Sequence, residues 1–527
     1  MRIKPQDVPQ YSKKDLAYQQ MDERLKDLIS YEPSIDAFAN AIQERKKKPV
    51  DRKLLISQIH GIYEKRSLTP SQLSNLSALN EEDTFTLVTA HQPSLLTGPL
   101  YYIYKICSVI KSCHLLSDAY PDQHFVPIFI SGSEDHDFEE INHCNIFNKR
   151  IEWNENAGGA VGRMPIEKLD DVVNQFSEIL GSSEHASQIR NILYEALNGS
   201  TIYKHFNFNI VNELFANFGL LVVDMDRKEF KAAFSDHIIE EIIKRPSENL
   251  VLKTQQILEE RGISNQAHPR DINFFYLKDN FRTRITYENG RYQLVDTEIS
   301  FSEAEIKEEI HNHPERFSPN VIMRPIYQES ILPNLAYIGG GGEIAYWLER
   351  KSQFEHFNVP FPILMRRNSA LLVDKSSQKL LRKLDMDIPS FFPHVDDIIN
   401  HYIKRESEIN IDLGRHKGEL SQLFTGISKE AEVIDPTISK WIQAERVKQL
   451  KVIDQIESRL KRTIKQQEEV TINQIRKLKD KLFPGNGLQE RQDNFFQYAV
   501  NQGSYNLIQD LIEEFRPFTP EFLVMYL

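Results

Sequence analysis

The pattern of apolar and polar positions changes several times along the 527-residue chain. In residues 18–29 and 55–63, apolar residues recur at three- and four-residue spacing, which predicts helices. Residues 84–89 (TFTLVT) and 125–130 (FVPIFI) are short, β-branched and aromatic, which is typical of buried strands. The strongly apolar segment 100–116 between them predicts a helix. Together these form one βαβ unit, which predicts an α/β fold with a parallel sheet.

Further strand patterns follow in the middle of the chain. Residues 219–226 (GLLVVDMD) predict a strand that ends in carboxylates. Turn signals at Asp279-Asn280 and Asn289-Gly290 predict an antiparallel meander, which we assign to an inserted module around residues 150–320. The strands of this module are predicted at 274–277, 282–287 and 292–295. Two further strands, after the module, are predicted at 336–338 and 361–365.

Residues 396–482 carry few glycines and aromatics, and their charge density is high. Pro436 marks a helix start and Pro484-Gly485 its end, which predicts one helix of about 45 residues and about 65 Å. Residues 396–424 are predicted to fold back against it across Gly426, giving an α-helical coiled-coil arm. Its near-heptad positions are Ile438, Trp441 (or Ile442), Val447, Leu450, Ile453, Leu460, Ile464, Ile475, Leu478 and Leu482, with polar interruptions at Glu457 and Gln467.

The predicted domains are therefore a core over 1–395, the arm over 396–482, and a segment over 483–527 that returns to the core. An apolar content of 40% excludes wholesale disorder, and a net charge of −12 argues against non-specific nucleic-acid binding. No apolar run is long enough to span a membrane, and the start of the chain lacks the apolar run of a signal peptide. Three cysteines suggest reduced thiols, so we expect a cytoplasmic protein without nucleic-acid or membrane partners.

Four predicted loops follow strands of the expected sheet. Ligands of open parallel sheets bind beyond the carboxyl ends of the strands, so these loops would meet in one crevice if their strands share one sheet. They are His91-Gln92 with Gly98-Pro99, residues 134–137, the glycines 339–342 with Glu343, and residues 366–369.

The first loop leads into a helix, where free N–H groups could bind an anion and His91 could stabilise negative charge. An ordinary strand-to-helix turn is the alternative. The second loop places Glu134, Asp135, His136 and Asp137 in sequence, which suits an ammonium, a general base or a divalent metal. At most two of these side chains would face one site, and the alternative is a solvated turn that caps the next helix.

A metal is disfavoured, although four histidines and the cysteines make a zinc site conceivable, because no Cys-x-x-Cys pair is present. The glycine run would let a ligand approach the backbone closely, or it is a flexible turn. Arg366 could hold a carboxylate or phosphate, or belong to a charged loop. The chain has no Walker motif and no nucleophile elbow, and Cys107 and Cys113 are expected to be inert packing residues. The four histidines considered for the zinc site are His114, His124, His136 and His143.

Several of these segments together resemble the bacillithiol-biosynthesis cysteine-adding enzymes, the BshC family of cysteine ligases. The likeness covers nearly the whole chain in order, beginning with HQPSLLTGPLY at 91–101 and SEDHDFEEIN at 133–142. It continues with PERFSPN at 314–320, RPIYQ at 324–328, AYIGG at 336–340, EIAYW at 343–347, RNS at 367–369 and GLQER at 487–491.

The resemblance implies a Rossmann-like core related to class I aminoacyl-tRNA synthetases, with inserted connecting modules and a coiled-coil arm that makes a homodimer. It implies addition of cysteine to glucosaminyl-malate by amide bond formation, as the last step of bacillithiol synthesis, with adenine nucleotide (ATP or ADP) as a candidate cofactor. The catalytic candidates are His91, Gln92, Glu134, Asp135, His136 and Asp137. The substrate-binding candidates are Gly98, Tyr102, Lys105, Arg324, Gln328, Tyr337, Gly340, Gly341, Glu343, Trp347, Arg366, Asn368 and Ser369.

In the expected reaction, Glu134, Asp135 or Asp137 deprotonates the sugar amine, and Arg324 or Arg366 holds the malate carboxylates. His91 and Gln92 would stabilise developing negative charge. Two other classes of function stay open. One is another nucleotide-dependent ligase or nucleotidyltransferase on the same fold, and the other is a non-catalytic coiled-coil scaffold that binds a nucleotide or thiol.

Overall fold

A computed structural model describes residues 1–64, 66–155, 158–278, 281–406 and 412–527, without the side chains of residues 406, 464, 465 and 467. The chain forms two compact units. The larger comprises residues 1–372 and 489–525, and the smaller comprises residues 373–488. Among the described residues, no helix is both long and apolar enough to cross a membrane.

A five-stranded parallel sheet lies at the centre of the larger unit, so the predicted α/β core is confirmed. Its strands are buried along almost their whole length, because helices cover both faces of a parallel sheet. In spatial order they are Ile363–Arg366, Asn334–Gly339, Thr84–His91, His124–Ser131 and Leu221–Asp224. All four loops that the sequence singled out therefore follow strands of one sheet.

Helix Tyr101–Ala119 connects the two central strands and is apolar on nearly every side, as a helix enclosed by protein must be. The loop before it is strained, since Leu96, Thr97 and Gly98 all have positive φ angles. The amide of Asn494, in the returning tail, donates to the carbonyls of Leu96 at 2.8 Å and Gly98 at 2.9 Å. The tail thus holds the loop that positions this helix.

The predicted antiparallel meander is confirmed as part of a second sheet. At Asn289 and Gly290 both φ angles are positive, as a tight hairpin turn requires. The predicted turn at residues 279–280 lies outside the described residues. In spatial order the strands are Ser300–Phe301, Arg291–Leu294, Phe281–Glu288, Phe274–Lys278 and Phe317–Pro319.

Other helices pack around these sheets. The helix predicted over 18–29 is divided into Lys13–Gln19 and the 3-10 helix Glu23–Leu28, because Met21 has a positive φ and Asp22 caps a new start. Strands Arg2–Ile3 and Phe522–Tyr526 pair antiparallel, as do His143–Ile146 and Lys149–Glu152. The remaining helices are Ala37–Lys46, Arg52–Tyr63, Pro70–Ala78, Phe138–Ile141, Leu169–Ile179, Glu184–Asn198, Tyr203–Phe215, Lys228–Ala233, Ser235–Lys244, Pro246–Glu260, Glu303–Asn312, Arg324–Ile331, Gly341–Trp347, Lys351–Phe357, Phe496–Gln502 and Ser504–Glu514.

The smaller unit is helical, but its turn is not where the sequence predicted it. Helix Gly414–Glu432 runs straight through Gly426, and the chain turns at residues 433–435, just before Pro436. The prediction of one uninterrupted helix to 482 is also wrong, because Glu468 has non-helical backbone angles. Described helices of this unit are Lys375–Leu384, Val395–Glu406, Gly414–Glu432, Pro436–Gln467 and Glu469–Leu482.

Polar pairs join the two long antiparallel helices of the arm. Glu457, which interrupts the apolar seam, accepts from Lys417 of the other helix at 2.7 Å. It also accepts from Lys461 of its own helix at 2.6 Å. The Ser428 and Ser439 hydroxyls are 2.7 Å apart near the turn. Partnered in this way, the seam's polar residues are compatible with close helix packing. The heptad position Ile464 lies outside the residues whose side chains are described.

Candidate active site

A cleft of about 680 Å³ opens at the carboxyl ends of the parallel strands. Residues of all four loops line it, although the fourth loop contributes only Arg367, which was not among the predicted site residues. The inserted sheet and the returning tail add further side chains. Predicted site residues that line the cleft are His91, Gln92, Lys105, Asp135, His136, Arg324, Gln328, Tyr337, Gly340, Gly341, Glu343 and Trp347.

One wall of the cleft contains a buried ion pair between Lys105 and Glu343. The Lys105 Nζ lies 2.6 Å from Glu343 Oε2 and donates to the Ala90 carbonyl at 2.9 Å. Glu343 also accepts from the Tyr337 hydroxyl and from the Gly340 N–H, both at 2.8 Å. Lys105 is 1% exposed, so its charge requires this partner.

The two members of this pair respond to burial in opposite ways. Burial lowers the pKa of Lys105, and the Glu343 carboxylate only partly opposes this. Burial would raise the pKa of Glu343, but the Lys105 ammonium and the Gly340 N–H outweigh it and hold that pKa below its ordinary value. The pair therefore contributes a fixed dipole to the cleft, with almost no net charge.

His91 stands beside this pair as a neutral imidazole. Its Nδ1 lies 3.0 Å from the carbonyl oxygen of Gln92, which can only accept, so Nδ1 carries the hydrogen. The lone pair of Nε2 then faces the Tyr101 hydroxyl at 3.2 Å. Burial, reinforced by the Lys105 charge, lowers the pKa of His91 to about 4. In this geometry His91 is an acceptor, and the predicted charge-stabilising role would require a proton on Nε2.

In the acidic loop, Asp135 faces the cleft. Its Oδ2 accepts from the Gln92 amide at 3.1 Å and lies 3.6 Å from Arg324 Nη2. Burial would raise the pKa of Asp135, but hydrogen bonds from His136 and the charges of Arg324 and Arg282 hold it well below its ordinary value. Asp135 is therefore a fixed negative charge, better suited to holding a cation than to accepting a proton.

Glu134 points away from the cleft into a buried ion network. Its carboxylate pairs with Lys231, which is 1% exposed and lies 3.3 Å from Asp226. Asp226 in turn accepts from Arg163 at 2.7 Å. Burial raises the pKa of Glu134, and the Lys231 charge only partly offsets this. The network fixes the start of the acidic loop, and the predicted role of Glu134 as a base would require its ion pair to open.

Asp137 and His136 occupy other positions in the same loop. Asp137 caps helix Phe138–Ile141 by accepting from the Glu140 N–H at 3.2 Å, which is the alternative the sequence left open for this loop. His136 Nδ1 lies 2.7 Å from Arg282 Nη1. The Arg282 guanidinium lies 3.9 Å from the centre of the Phe275 ring, and burial lowers its pKa to about 10. The inserted sheet thus contributes a cationic wall to the cleft.

The fourth loop reaches the cleft through Arg367. Arg366 is turned to the other side, where its Nε and Nη2 bind the two oxygens of buried Asp15 at 2.9 and 3.0 Å. Burial would lower the pKa of Arg366, but the Asp15 charge outweighs it and raises that pKa. A Cβ at Gly341 would overlap the Asp15 carboxylate, so this glycine is required by close packing.

The other predicted binding residues outside the cleft lining have structural contacts. The Tyr102 hydroxyl donates to the Asn207 side-chain oxygen at 3.0 Å. The backbone N–H of Asn368 donates to the Ser108 hydroxyl at 3.0 Å, and that hydroxyl donates to the Asn368 side-chain oxygen at 3.3 Å. Ser369 donates to Glu490 at 3.1 Å. A Cβ at Gly98 would lie 2.7 Å from the Ser94 Cβ. The N–H of Leu100, at the helix start expected to bind an anion, instead donates to Asp493 O at 2.8 Å.

Several lining residues were missed by the sequence reasoning. Their side chains come from segments that are distant in sequence, but Arg367 and Arg491 lie within motifs that carried the family resemblance. Within the described part of the chain, no group of three or more His, Cys, Asp or Glu residues could hold a metal ion. The missed residues include Tyr101, His268, Arg270, Phe275, Arg282, Arg367 and Arg491.

Comparison with known families decides the relationship. The N-terminal Rossmann-like domain of bacillithiol biosynthesis BshC matches residues 1–368, and the C-terminal coiled-coil domain of the same family matches residues 370–527. The chain belongs to the BshC family. The predicted resemblance, the Rossmann-like core and the coiled-coil arm are thereby confirmed.

Curated relatives of this BshC-family chain carry the name "Putative cysteine ligase BshC". One from Christiangramia forsetii is 40% identical over 94% of this chain and 93% of its own length. One from Flavobacterium psychrophilum is 39% identical over 98% of this chain and 97% of its own length. A relative from Bacillus mycoides is 27% identical over 91% of both chains. These names support a ligase of bacillithiol biosynthesis.

Among solved structures, a chain from Campylobacter jejuni described as a "putative arginyl t-RNA synthetase" aligns with 10% identity and a TM-score of 0.22. The alignment covers 84% of this BshC-family chain and 97% of the other. A TM-score of this size carries no argument about fold or activity. The predicted relationship to class I synthetases stays a prediction.

Proposed function

We propose that this BshC-family chain joins the carboxyl group of cysteine to the amine of glucosaminyl-malate, as the last step of bacillithiol synthesis. The observation that carries the proposal is the arrangement of charge in one cleft of a chain whose relatives are named cysteine ligases. Asp135 provides a fixed negative charge, and Arg324 lies 3.6 Å from it on the same wall. An amine and a carboxylate could thus be held next to each other.

Asp135 is the proposed binding residue for the sugar amine. Of the three carboxylates considered from the sequence, it lines the cleft, whereas Glu134 is paired with Lys231 and Asp137 caps a helix. An ionised carboxylate favours the ammonium form of the amine on arrival. The amine must then lose a proton before attack, and the unprotonated Nε2 of His91 is the proposed acceptor.

Arg324 is the proposed residue for the malate carboxylates. Its side chain is one-third exposed and has no partner closer than Asp135 among the described residues, so its N–H donors are available. Arg366, the other residue considered for this role, is occupied by Asp15. A guanidinium that faces a cleft can bind a carboxylate with two parallel hydrogen bonds.

Activation of the cysteine carboxyl group is required because amide formation in water is unfavourable. We propose ATP as the activating substrate, which the cationic side chains of the cleft would suit. Purified full-length protein is mixed with cysteine, glucosaminyl-malate and ATP, and thiol product is followed together with AMP and ADP. Product that forms without nucleotide cleavage would exclude ATP activation, and absence of product under all conditions would exclude the ligase.

Variants make this assay specific to the cleft. We expect Asp135→Asn and Arg324→Met to lower kcat/KM by about 100-fold or more, since each removes a charge-assisted hydrogen bond to substrate. The matched controls are Asp118→Asn and Arg284→Met, which neutralise exposed charges that do not line the cleft. Equal losses in variants and controls would show that the charge pattern of the cleft is not what binds substrate.

We also propose that the arm forms a homodimer. Helix Pro436–Gln467 exposes an apolar stripe on the side that its partner helix does not cover, which a second copy could bury. Trp441 is 64% exposed and Ile456 is 50% exposed. At 100° per residue the stripe spans about 100° of the helix surface. Its members are Ile438, Trp441, Val452, Ile456 and Leu460.

A further inference from the structure

One corner of the cleft, where the returning tail meets the fourth loop, has no role in the proposed contacts to the amine or the malate group. Arg367 and Arg491 line this corner together with Tyr101 and the glycines 340–342. The Arg367 guanidinium carbon lies 5.4 Å from the centre of the Tyr101 ring, and the charges of Arg367 and Arg491 both lower the pKa of the Tyr101 hydroxyl, against the larger opposite effect of burial. The corner therefore brings two guanidinium groups to one phenol.

Arg367 is held rigidly, yet one of its donors is unused. Its Nη2 donates to Glu490 Oε1 at 2.7 Å, and its Nη1 donates to the Asn368 carbonyl at 3.0 Å. Its Nε is buried and has no hydrogen-bond partner among the described residues, although the residue is 4% exposed. A buried donor on a charged group is costly when unpaired, so it indicates a partner from outside the chain.

The space beside this donor is open because glycine lies opposite it. The Arg367 Nε is 3.7 Å from the point that a Cβ on Gly340 would occupy. At Gly342 nothing lies within 4 Å of the corresponding point. Behind Arg367, fully buried Glu490 also accepts from the Ala370 N–H at 3.2 Å, which fixes the guanidinium in place. The corner is thus preorganised and uncovered at the same time.

The charge of the corner favours an anion. Lys105 is neutralised by Glu343, and Arg367 is neutralised by Glu490. Arg491 is exposed and has no ion pair among the residues that the structure describes. One positive charge is therefore left without a partner beside an unused N–H donor.

We propose that this corner is an oxyanion subsite, in which Arg367 Nε and the Arg491 guanidinium bind a phosphate or carboxylate group of a substrate. The subsite rests on the proposed function only in taking the cleft as the place of reaction. Phosphate and carboxylate present the same acceptor oxygens to a guanidinium, so the chemistry of recognition is shared. The source of the oxyanion, nucleotide or cysteine, is what the experiment distinguishes.

The test is isothermal titration of the full-length protein with sodium pyrophosphate and, separately, with S-methyl-L-cysteine at constant ionic strength. We expect saturable binding of at least one probe, weakened about tenfold or more by Arg491→Met. The control Arg516→Met removes an exposed arginine of the same tail that does not line the cleft, and should bind as wild type does. The double variant Arg367→Met with Glu490→Met removes both charges of the buried pair and should abolish binding while the protein remains folded.

Pyrophosphate binding alone would assign the subsite to a nucleotide phosphate, and S-methylcysteine binding alone to the substrate carboxylate. The proposal is overturned if neither probe binds, or if Arg516→Met weakens binding as much as Arg491→Met. These titrations contain neither the sugar nor ATP. An inactive ligase assay with intact probe binding would therefore refute the proposed function alone, and the reverse would refute the subsite alone.

Discussion

Lys231 is expected to hold the acidic loop in place through charge. It is 1% exposed, pairs with Glu134, lies 3.3 Å from Asp226, and donates to the Glu315 carbonyl at 3.2 Å. Lys231→Met keeps a long side chain and removes the charge. Glu134 then loses its cation and becomes an unpaired carboxylate in a buried site.

The magnitude follows from the charges that remain. The wild-type network has three cations and three carboxylates, so Lys231→Met leaves it with a net charge of −1. Breaking a buried pair by removing one partner costs about 3–5 kcal/mol of unfolding free energy. Replacing Glu134 by Gln in the same chain restores the balance, and we expect the double variant to recover most of that loss. The members are Arg163, Lys204, Lys231, Glu134, Asp224 and Asp226.

The loss should also depend on pH. Burial already raises the pKa of Glu134, and without Lys231 that pKa rises further above its value in the unfolded chain. A carboxyl group with a raised pKa binds its proton more tightly in the folded state, so stability falls as pH rises through the unfolded value. We therefore expect Lys231→Met to be more destabilising at pH 8 than at pH 5.

The assay is urea unfolding followed by tryptophan fluorescence in a Trp441→Phe background, where the two remaining tryptophans, Trp153 and Trp347, both report on the larger unit. Lys228→Met, on the same helix but more than half exposed, is the matched control and should change stability by about 0.5 kcal/mol or less. The reasoning is refuted if Lys231→Met behaves like this control. It is also refuted if adding Glu134→Gln gives no recovery.

Three further outcomes follow from other parts of the chain. Trp441→Glu combined with Ile456→Glu should convert a dimer to a monomer in light scattering, because charges would replace the apolar stripe; an unchanged mass would argue against dimerisation through the arm. Because burial lowers the pKa of His91 to about 4 while the unfolded chain keeps about 6.5, stability should fall as pH drops through that interval. His91→Gln should flatten that part of the calorimetric profile, and an identical profile would contradict the assignment. Gly341→Ala should lower the free energy of unfolding of the larger unit by about 1–3 kcal/mol in the same urea assay, because the added Cβ would overlap Asp15; an unchanged value would contradict the close packing.

Much of the sheet could be predicted from the sequence because its strands are continuous apolar runs that end at unusual loops. The arm was harder to predict. Gly426 suggested a turn by residue type, yet helix propensity is a weak constraint where long helices pack together, and the turn lies at residues 433–435 instead. The helix breaks at Glu468, but the sequence has no glycine or proline near this position, so residue type alone does not predict the break.

The site shows why neighbouring residues are hard to separate from sequence alone. Tyr102 and Arg366 were chosen as binding candidates, whereas their neighbours Tyr101 and Arg367 line the cleft. Adjacent residues on a helix point about 100° apart, and adjacent residues at the end of a strand point to opposite faces. Which of two neighbours faces a cleft thus depends on register. The contributions of Arg282 and Arg491 depend on tertiary packing, which no local pattern specifies.

The central claim is that this cleft completes the synthesis of a cysteine-containing thiol. The most direct measurement is the thiol content of cells that lack the protein and are complemented with wild type or with Asp135→Asn at equal protein level. We predict that cells without the protein accumulate glucosaminyl-malate and lack the thiol, and that wild type restores it while Asp135→Asn does not. A thiol content unchanged by deletion would contradict the account.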